Sequence, residues 1–163
     1  MPPVVRRSEV ADAQRLRQLR LEALQDAPLA YGTRYVDVVR WSDEQWLEFA
    51  ADPALFVAER DGELVGMARG GTSSYDEPGA PTRWLYGMYV TSRVRGDGTA
   101  SALVEAVADW ARHEGATSLH LHVTRDAPRA HAFYRKIGFV DHGDPVIHDS
   151  RPDITLLPMV RYL

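Results

Sequence analysis

The chain has 163 residues, is 45% hydrophobic and 26% charged, carries a formal net charge of −4 and has no cysteine. That balance predicts one domain over residues 1–163 with a sizeable core. It gives no electrostatic reason to bind nucleic acid or an anionic membrane, and it excludes disulfides, thiolate metal sites and a cysteine nucleophile. No apolar run approaches the ~20 residues of a membrane span, and residues 1–7 lack a signal peptide's apolar core, so a cytoplasmic protein is expected.

Residues 4–6 form a short first strand. Ser8 then caps a long helix over residues 9–25, whose Ala13, Leu16, Leu19 and Ala23 recur at helical spacing. Pro28 and Gly32 break it. Ser42 caps a second helix that carries Trp46 and Phe49 and stops by Pro53. Residues 56–59 and 64–67 flank Asp61-Gly62, the strongest short hairpin signal. A polar, proline-bearing loop at 71–82 leads to a strand over 84–90. Gly87 inside that strand marks either a bulge or a close approach of a helix.

A third helix runs from Gly98 to about His113, presents Leu103, Val107, Trp110 and Ala111, and ends at Gly115. Leu119, Leu121 and Val123 alternate with His120 and His122, a strand pattern. Pro128 opens a fourth helix, with Ala130, Phe133 and Ile137 on one face. Residues 139–148 and 154–162 read as two closing strands around a loop at 149–153. The order β-α-α-β-β-β-α-β-α-β-β predicts an α/β fold, a mixed sheet with helices on both faces.

The most informative stretch is residues 93–111. A strand, a basic glycine-bearing turn and a helix start make a phosphate trap. The first helical N–H groups lack intrahelical partners and sit at the positive end of the helix dipole. Gly96 and Gly98 let the backbone turn, while Arg93 and Arg95 add charge and donors. A Walker loop would need a lysine after the glycines, and a Rossmann turn would need a third glycine. What stands here is Arg95-Gly96-Asp97-Gly98-Thr99-Ala100, which also reads as a plain turn that starts a helix.

This pattern resembles the acetyl-coenzyme A signature of the GCN5-related N-acetyltransferase (GNAT) superfamily. The downstream run at 130–139, AHAFYRKIGF, resembles that family's second coenzyme motif at compatible spacing. The matching stretch covers about residues 85–140. The resemblance implies an acyl-CoA N-acyltransferase fold with a mostly antiparallel central sheet. It implies acetyl-CoA as co-substrate, no metal, and transfer of an acetyl group to a primary amine by direct attack in a ternary complex.

It also assigns roles. Arg95, Gly96, Asp97, Gly98, Thr99, Ala100 and Ser101 hold the coenzyme pyrophosphate. Met88, Tyr89 and Val90 pair with the pantetheine and polarise the thioester carbonyl. Tyr134 protonates the departing thiolate, unless it is only a packing tyrosine beside Phe133. Two departures are visible: Ala127 stands where the family often has asparagine, and Asp97 puts a carboxylate beside a pyrophosphate.

No carboxylate lies between Thr82 and Ser92, so the strand lacks the glutamate base of many relatives. His122 is the substitute, with His120 on the same face. The pair also reads as solvated or core-satisfied histidines, or as two of three ligands for a metal with no visible third. Water alone, or Glu22 on the first helix, remain alternatives as base. Tyr31, Tyr35, Trp41 and Trp46 offer an aromatic acceptor pocket or simply core. Arg17 and Arg20 offer a carboxylate site or a solvated face. Three further readings stay open. One is a catalytically decayed acyl-CoA-binding module, another an unrelated nucleotide-binding domain. The third is a homodimer paired through the final strands.

Overall fold

The computed structural model describes residues 2–163. Its strands are β1 (Val4–Arg7), β2 (Leu55–Arg60), β3 (Glu63–Gly71), β4 (Thr82–Val90), β5 (Ser118–Thr124), β6 (Val140–Asp141), β7 (Val146–His148) and β8 (Arg151–Tyr162). Its helices are α1 (Ala13–Asp26), α2 (Tyr35–Val38), α3 (Asp43–Ala50), α4 (Thr99–His113) and α5 (Pro128–Lys136). All eight strands join one sheet in the order β1-β2-β3-β4-β5-β8-β6, with β7 also paired to β8. Only β4 and β5 run parallel.

The expected helices on both faces are present, and each face has its own core. On one face, Leu103, Val107 and Ala111 of α4 and Tyr134 of α5 pack with Leu85, Leu121 and Val123. On the other, Leu16, Leu19 and Ala23 of α1 and Trp46 of α3 pack with Val57, Leu64, Met67 and Tyr89. Two strand glycines let α4 approach closely. A Cβ at Gly66 would stand 2.8 Å from Leu103 Cδ1, and one at Gly70 would collide with the Trp110 ring. Trp110 is therefore half-buried over Gly70.

The hairpin forms as its Asp-Gly turn requires, with Asp61 at φ 52° and Gly62 at φ 78°. Ser42 caps α3 by accepting from the Gln45 N–H, and the Gln45 side chain returns the bond to the Ser42 N–H.

Four local expectations need correction. Ser8 does not cap the first helix: its hydroxyl donates to the Ala50 carbonyl at 2.8 Å, fastening β1 to α3. A 3-10 turn over Val10–Asp12 precedes α1, and the buried Asp12 accepts the Glu9 N–H at 2.7 Å. The buried position on α5 is Tyr134 rather than Ala130, Phe133 or Ile137, which are half-buried. The stretch 139–148 is not one strand, because Gly143 at φ 94° breaks it into β6 and β7. The short α2 follows the break at residues 28–32 and carries no capping side chain of its own. Among the described residues no helix is long and apolar enough to cross a membrane.

Asp12 is the ionic anchor of the fold's edge. It is 1% exposed and accepts from Arg6 at 2.8 Å and Arg15 at 2.6 Å. Glu59 on β2 takes the other donors of both arginines. The Arg6 hydrogen bonds hold the Asp12 carboxyl down at about 2.

Candidate active site

The parallel pair β4–β5 is in register for only three positions: Thr82 with Ser118, Arg83 with Leu119 and Trp84 with His120. Both strands then continue, through residues 85–90 and 121–124, without pairing to one another. The sheet therefore splits along a wedge. Each lip exposes backbone donors and acceptors that an extended ligand can pair with, as an added strand would.

A bulge lies on the β4 lip. Met67 pairs with Tyr89 and Arg69 with Tyr86, so β4 carries one extra residue across this step. Gly87 supplies it, at φ 57°. The left-handed backbone there costs an L side chain roughly 1–2 kcal/mol, which explains the glycine. Of the two readings offered by Gly87, the bulge is the one found; the approaching group is Arg20 of α1, whose Nη1 lies 3.4 Å from a Cβ built on Gly87. The Tyr31 hydroxyl donates to the Met88 carbonyl at 2.8 Å.

The β4–α4 loop follows the wedge. Gly96 and Gly98 adopt φ 89° and 92°, and the space a Cβ would take at either is open. Gly98 is the N-cap of α4. The N–H groups of Gly96, Asp97, Gly98, Ala100 and Ser101 have no protein acceptor among the described residues. Converging donors at the start of a fifteen-residue helix suit a pyrophosphate.

Asp97 behaves specifically. Its Oδ1 accepts from the Thr99 N–H at 3.0 Å and the Thr99 hydroxyl at 2.6 Å, so it withdraws one donor from the cradle. These bonds also hold its carboxyl below the usual range. Arg95 turns back from the loop, donating to the Val90 carbonyl at 3.0 Å and to Asp26 at 2.9 Å, over the Tyr89 ring. Arg93 is paired with Glu63.

Tyr134 stands on the α5 side of the sheet, 9% exposed, and its hydroxyl makes no hydrogen bond among the described residues. Burial, with a smaller contribution from Tyr31, pushes its phenol well above 10 and keeps the proton on it. His122 is on the opposite face, since Leu121 and Val123 pack beside Tyr134. The His122 ring lies 4.9 Å from Trp84 and 5.4 Å from Tyr75, and makes no hydrogen bond among the described residues. Burial lowers its basicity, as do His120 and His148. His120 stacks on Trp84 at 5.3 Å and meets the Ser118 hydroxyl at 2.9 Å. Among the described residues no three His, Asp or Glu side chains are arranged to hold a metal ion.

Glu22, an alternative base, is engaged: it accepts the Tyr89 hydroxyl at 2.7 Å. The aromatic acceptor pocket takes a different form from the expected one. Trp46 is fully buried and packs with Trp41 and Phe49 in the α1–α3 core. Tyr31 reaches the site, and on the sheet the buried Trp84 is flanked by the half-buried Tyr86 and the exposed Tyr75.

A wedge between two parallel strands, a bulged lip and a glycine cradle at a helix N-terminus define a site for an extended, pyrophosphate-bearing ligand. The chain belongs to the Acetyltransferase (GNAT) family, whose model matches residues 14–139. It is similar to uncharacterized N-acetyltransferases of Mycobacterium tuberculosis and Mycobacterium bovis, at 32% identity over 107 residues. The match spans 63% of this chain and 64% of the mycobacterial proteins. Its fold is similar to the ribosomal-protein-alanine N-acetyltransferase of Brucella melitensis, with TM-score 0.77, 25% identity and coverage of 98% and 99% of the two chains. It is also similar in fold to YncA of Salmonella typhimurium, a structure solved with acetyl-CoA, with TM-score 0.78, 19% identity and coverage of 100% and 95%.

Proposed function

We propose that this protein transfers an acetyl group from acetyl-CoA to a primary amine, the two substrates being held together in one complex, with residues 1–163 acting as a single domain. The observation that carries the reading is the β4–β5 wedge ending at the glycine cradle. The open space above Gly96 and Gly98 and the unpaired N–H groups around them fit a pyrophosphate. The family match supports the same donor, as does the acetyl-CoA in the Salmonella structure.

Each step then falls to a named group. The free N–H groups of Gly96, Asp97, Gly98, Ala100 and Ser101 hold the pyrophosphate, and the β4 lip holds the pantetheine. A backbone N–H among Met88, Tyr89 and Val90 polarises the thioester carbonyl. His122, kept neutral at pH 7, takes the proton of the incoming ammonium, directly or through water. The amine nitrogen forms the new bond to the acetyl carbon as the carbon–sulfur bond breaks. Tyr134 gives its proton to the departing sulfur and regains one from the acetylated nitrogen through solvent. The products are an N-acetyl amine and coenzyme A.

Thermal unfolding with and without acetyl-CoA, with ATP and NAD as controls, tests the donor. A ligand at 100 times its Kd adds about 2.7 kcal/mol. A rise in Tm with acetyl-CoA alone, followed by amine-dependent thiol release, is the expected result. No shift at millimolar acetyl-CoA would sink the reading, and a shift without thiol release to any amine would favour the decayed binding module. A homodimer through the β6–β8 end, where Val140 and Tyr162 are exposed, is checked by light scattering of the eluted protein.

A further inference from the structure

We propose that the acceptor carries a carboxylate beside its amine, as an α-amino acid does, and that Arg20 receives it. This rests on the acetyltransferase reading above. Arg20 lies on α1 against the bulge, with its guanidinium carbon 5.4 Å from the centre of the Tyr31 ring. Its Nη1 is 3.4 Å from the space over Gly87. Among the described residues it makes no hydrogen bond and no ion pair, although it carries five N–H donors.

No carboxylate pairs with it, and those of the neighbouring elements are already engaged. Glu22 accepts from Tyr89, and Asp26 accepts from Tyr89 and Arg95. Asp52 faces Arg69, and Asp76 accepts from the Trp84 indole and the Thr82 hydroxyl. Arg69 repels Arg20 rather than compensating it. Burial without a counter-charge also weakens Arg20 as a base. A half-buried guanidinium that has only an aromatic face beside it gains when an anion joins it.

Size and charge narrow the anion. One unpaired planar fork matches one carboxylate, and a dianionic phosphate would call for a second free cation where Arg69 is paired with Asp52. Position narrows it further. Arg20 reaches Gly87, inside the bulge assigned to the thioester, so the carboxylate and the attacking amine sit close together in the acceptor. Beyond them lies a row of aromatic rings. The Trp84 and Tyr86 rings are stacked within 16° of parallel at 6.3 Å, and His120 stacks on Trp84. Trp84 is buried in this row, so a side group of the acceptor would meet the half-buried Tyr86 and the exposed Tyr75. The His148 ring, which fills the place of a Cβ at Gly32, closes the wall between β7 and the loop after α1.

The test uses product analogues, so it does not depend on turnover. N-acetyltyrosine, N-acetylleucine and N-acetylalanine are titrated calorimetrically into the full chain, each against its carboxamide, with and without coenzyme A. The expected result is at least tenfold tighter binding of the acids than of the amides. Arg20→Gln should abolish that difference and Arg20→Lys should restore part of it. Equal binding of acids and amides, no binding of either, or an acid preference that survives Arg20→Gln would overturn the proposal. The wild-type contrast needs no variant, so a poorly folding Arg20→Gln leaves the test intact. Thermal unfolding with coenzyme A on the same samples separates the two failures. No shift with coenzyme A sinks the donor site, whereas a shift without acid preference sinks the carboxylate alone.

Discussion

The Tyr31 hydroxyl donates to the Met88 carbonyl across 2.8 Å, joining the loop after α1 to the bulged lip of β4. The bond spans the two halves of the proposed cleft, one side for the acceptor and the other for the coenzyme. Burial raises the Tyr31 phenol to about 12, so it remains a donor at every working pH. Tyr31→Phe should lower stability by about 1 kcal/mol in urea unfolding. It should also reduce kcat by more than it raises KM, because the bulge loses a fixed orientation. An unchanged kcat would show that the bulge holds its shape without Tyr31.

Tyr134→Phe removes a hydroxyl that has no protein partner, so the fold should hardly notice. The turnover should fall roughly 10²-fold if the phenol protonates the sulfur. The Tm increase with coenzyme A should persist. Unchanged acetylation would remove Tyr134 from the chemistry and leave it a packing residue against Phe133 and Phe139.

Asp97 has opposing effects that one substitution separates. Its carboxylate stabilises the start of α4 through Thr99, yet it places negative charge beside the cradle. Asp97→Asn should lower Tm in the unliganded protein and tighten coenzyme A binding roughly two- to fivefold. Tm and affinity moving in the same direction would contradict this arrangement.

The histidine face predicts an acid-sensitive protein. His120 and His122 are held below their ordinary 6.5, chiefly by burial. Asp76 opposes the shift at His120 and His142 adds to it, while His120 and His148 add to the shift at His122. Between the folded and ordinary pKa values the unfolded chain binds more protons, so stability is full above about pH 7 and lost as pH falls through 6.5 and below. Tm should therefore drop between pH 7.5 and 5.5, and His122→Asn should flatten the slope. The acid limb of kcat/KM should sit below 6.5; a limb above that would exclude His122 as the base.

At the opposite end of the sheet, Asp12 contributes stability that is present above its ordinary pKa near 4 and is lost as pH falls toward 2. Asp12→Asn at pH 7 should cost about 2 to 3 kcal/mol in urea unfolding, because Arg6 and Arg15 lose their shared buried acceptor.

Much of the fold was legible because local chemistry and global packing agree. Ser42 with Gln45, Asp61-Gly62 and Pro128 each sit where the chain's turns and caps require them. The cradle was legible for the same reason: Gly96 and Gly98 are needed for φ alone. Misreadings came where tertiary contacts decide. Ser8 looks like a cap until Ala50 offers a nearer acceptor. Trp46 looks like a pocket aromatic until α3 folds it against α1. The wedge had no sequence signal, because parallel register is set by strands far apart in the chain. The isolation of Arg20 could be seen only after every neighbouring carboxylate had found its partner.

The short β4–β5 register also makes the protein its own occupancy gauge. Amides on residues 85–90 that do not face β3 are held by no neighbouring strand, and ordinary exchange with deuterated water should be fast there while α4 stays protected. A pantetheine lying along that lip would slow those same amides and few others. Deuterium uptake of one tryptic-length segment could then rank donors, acyl lengths and analogues before any acceptor amine is known.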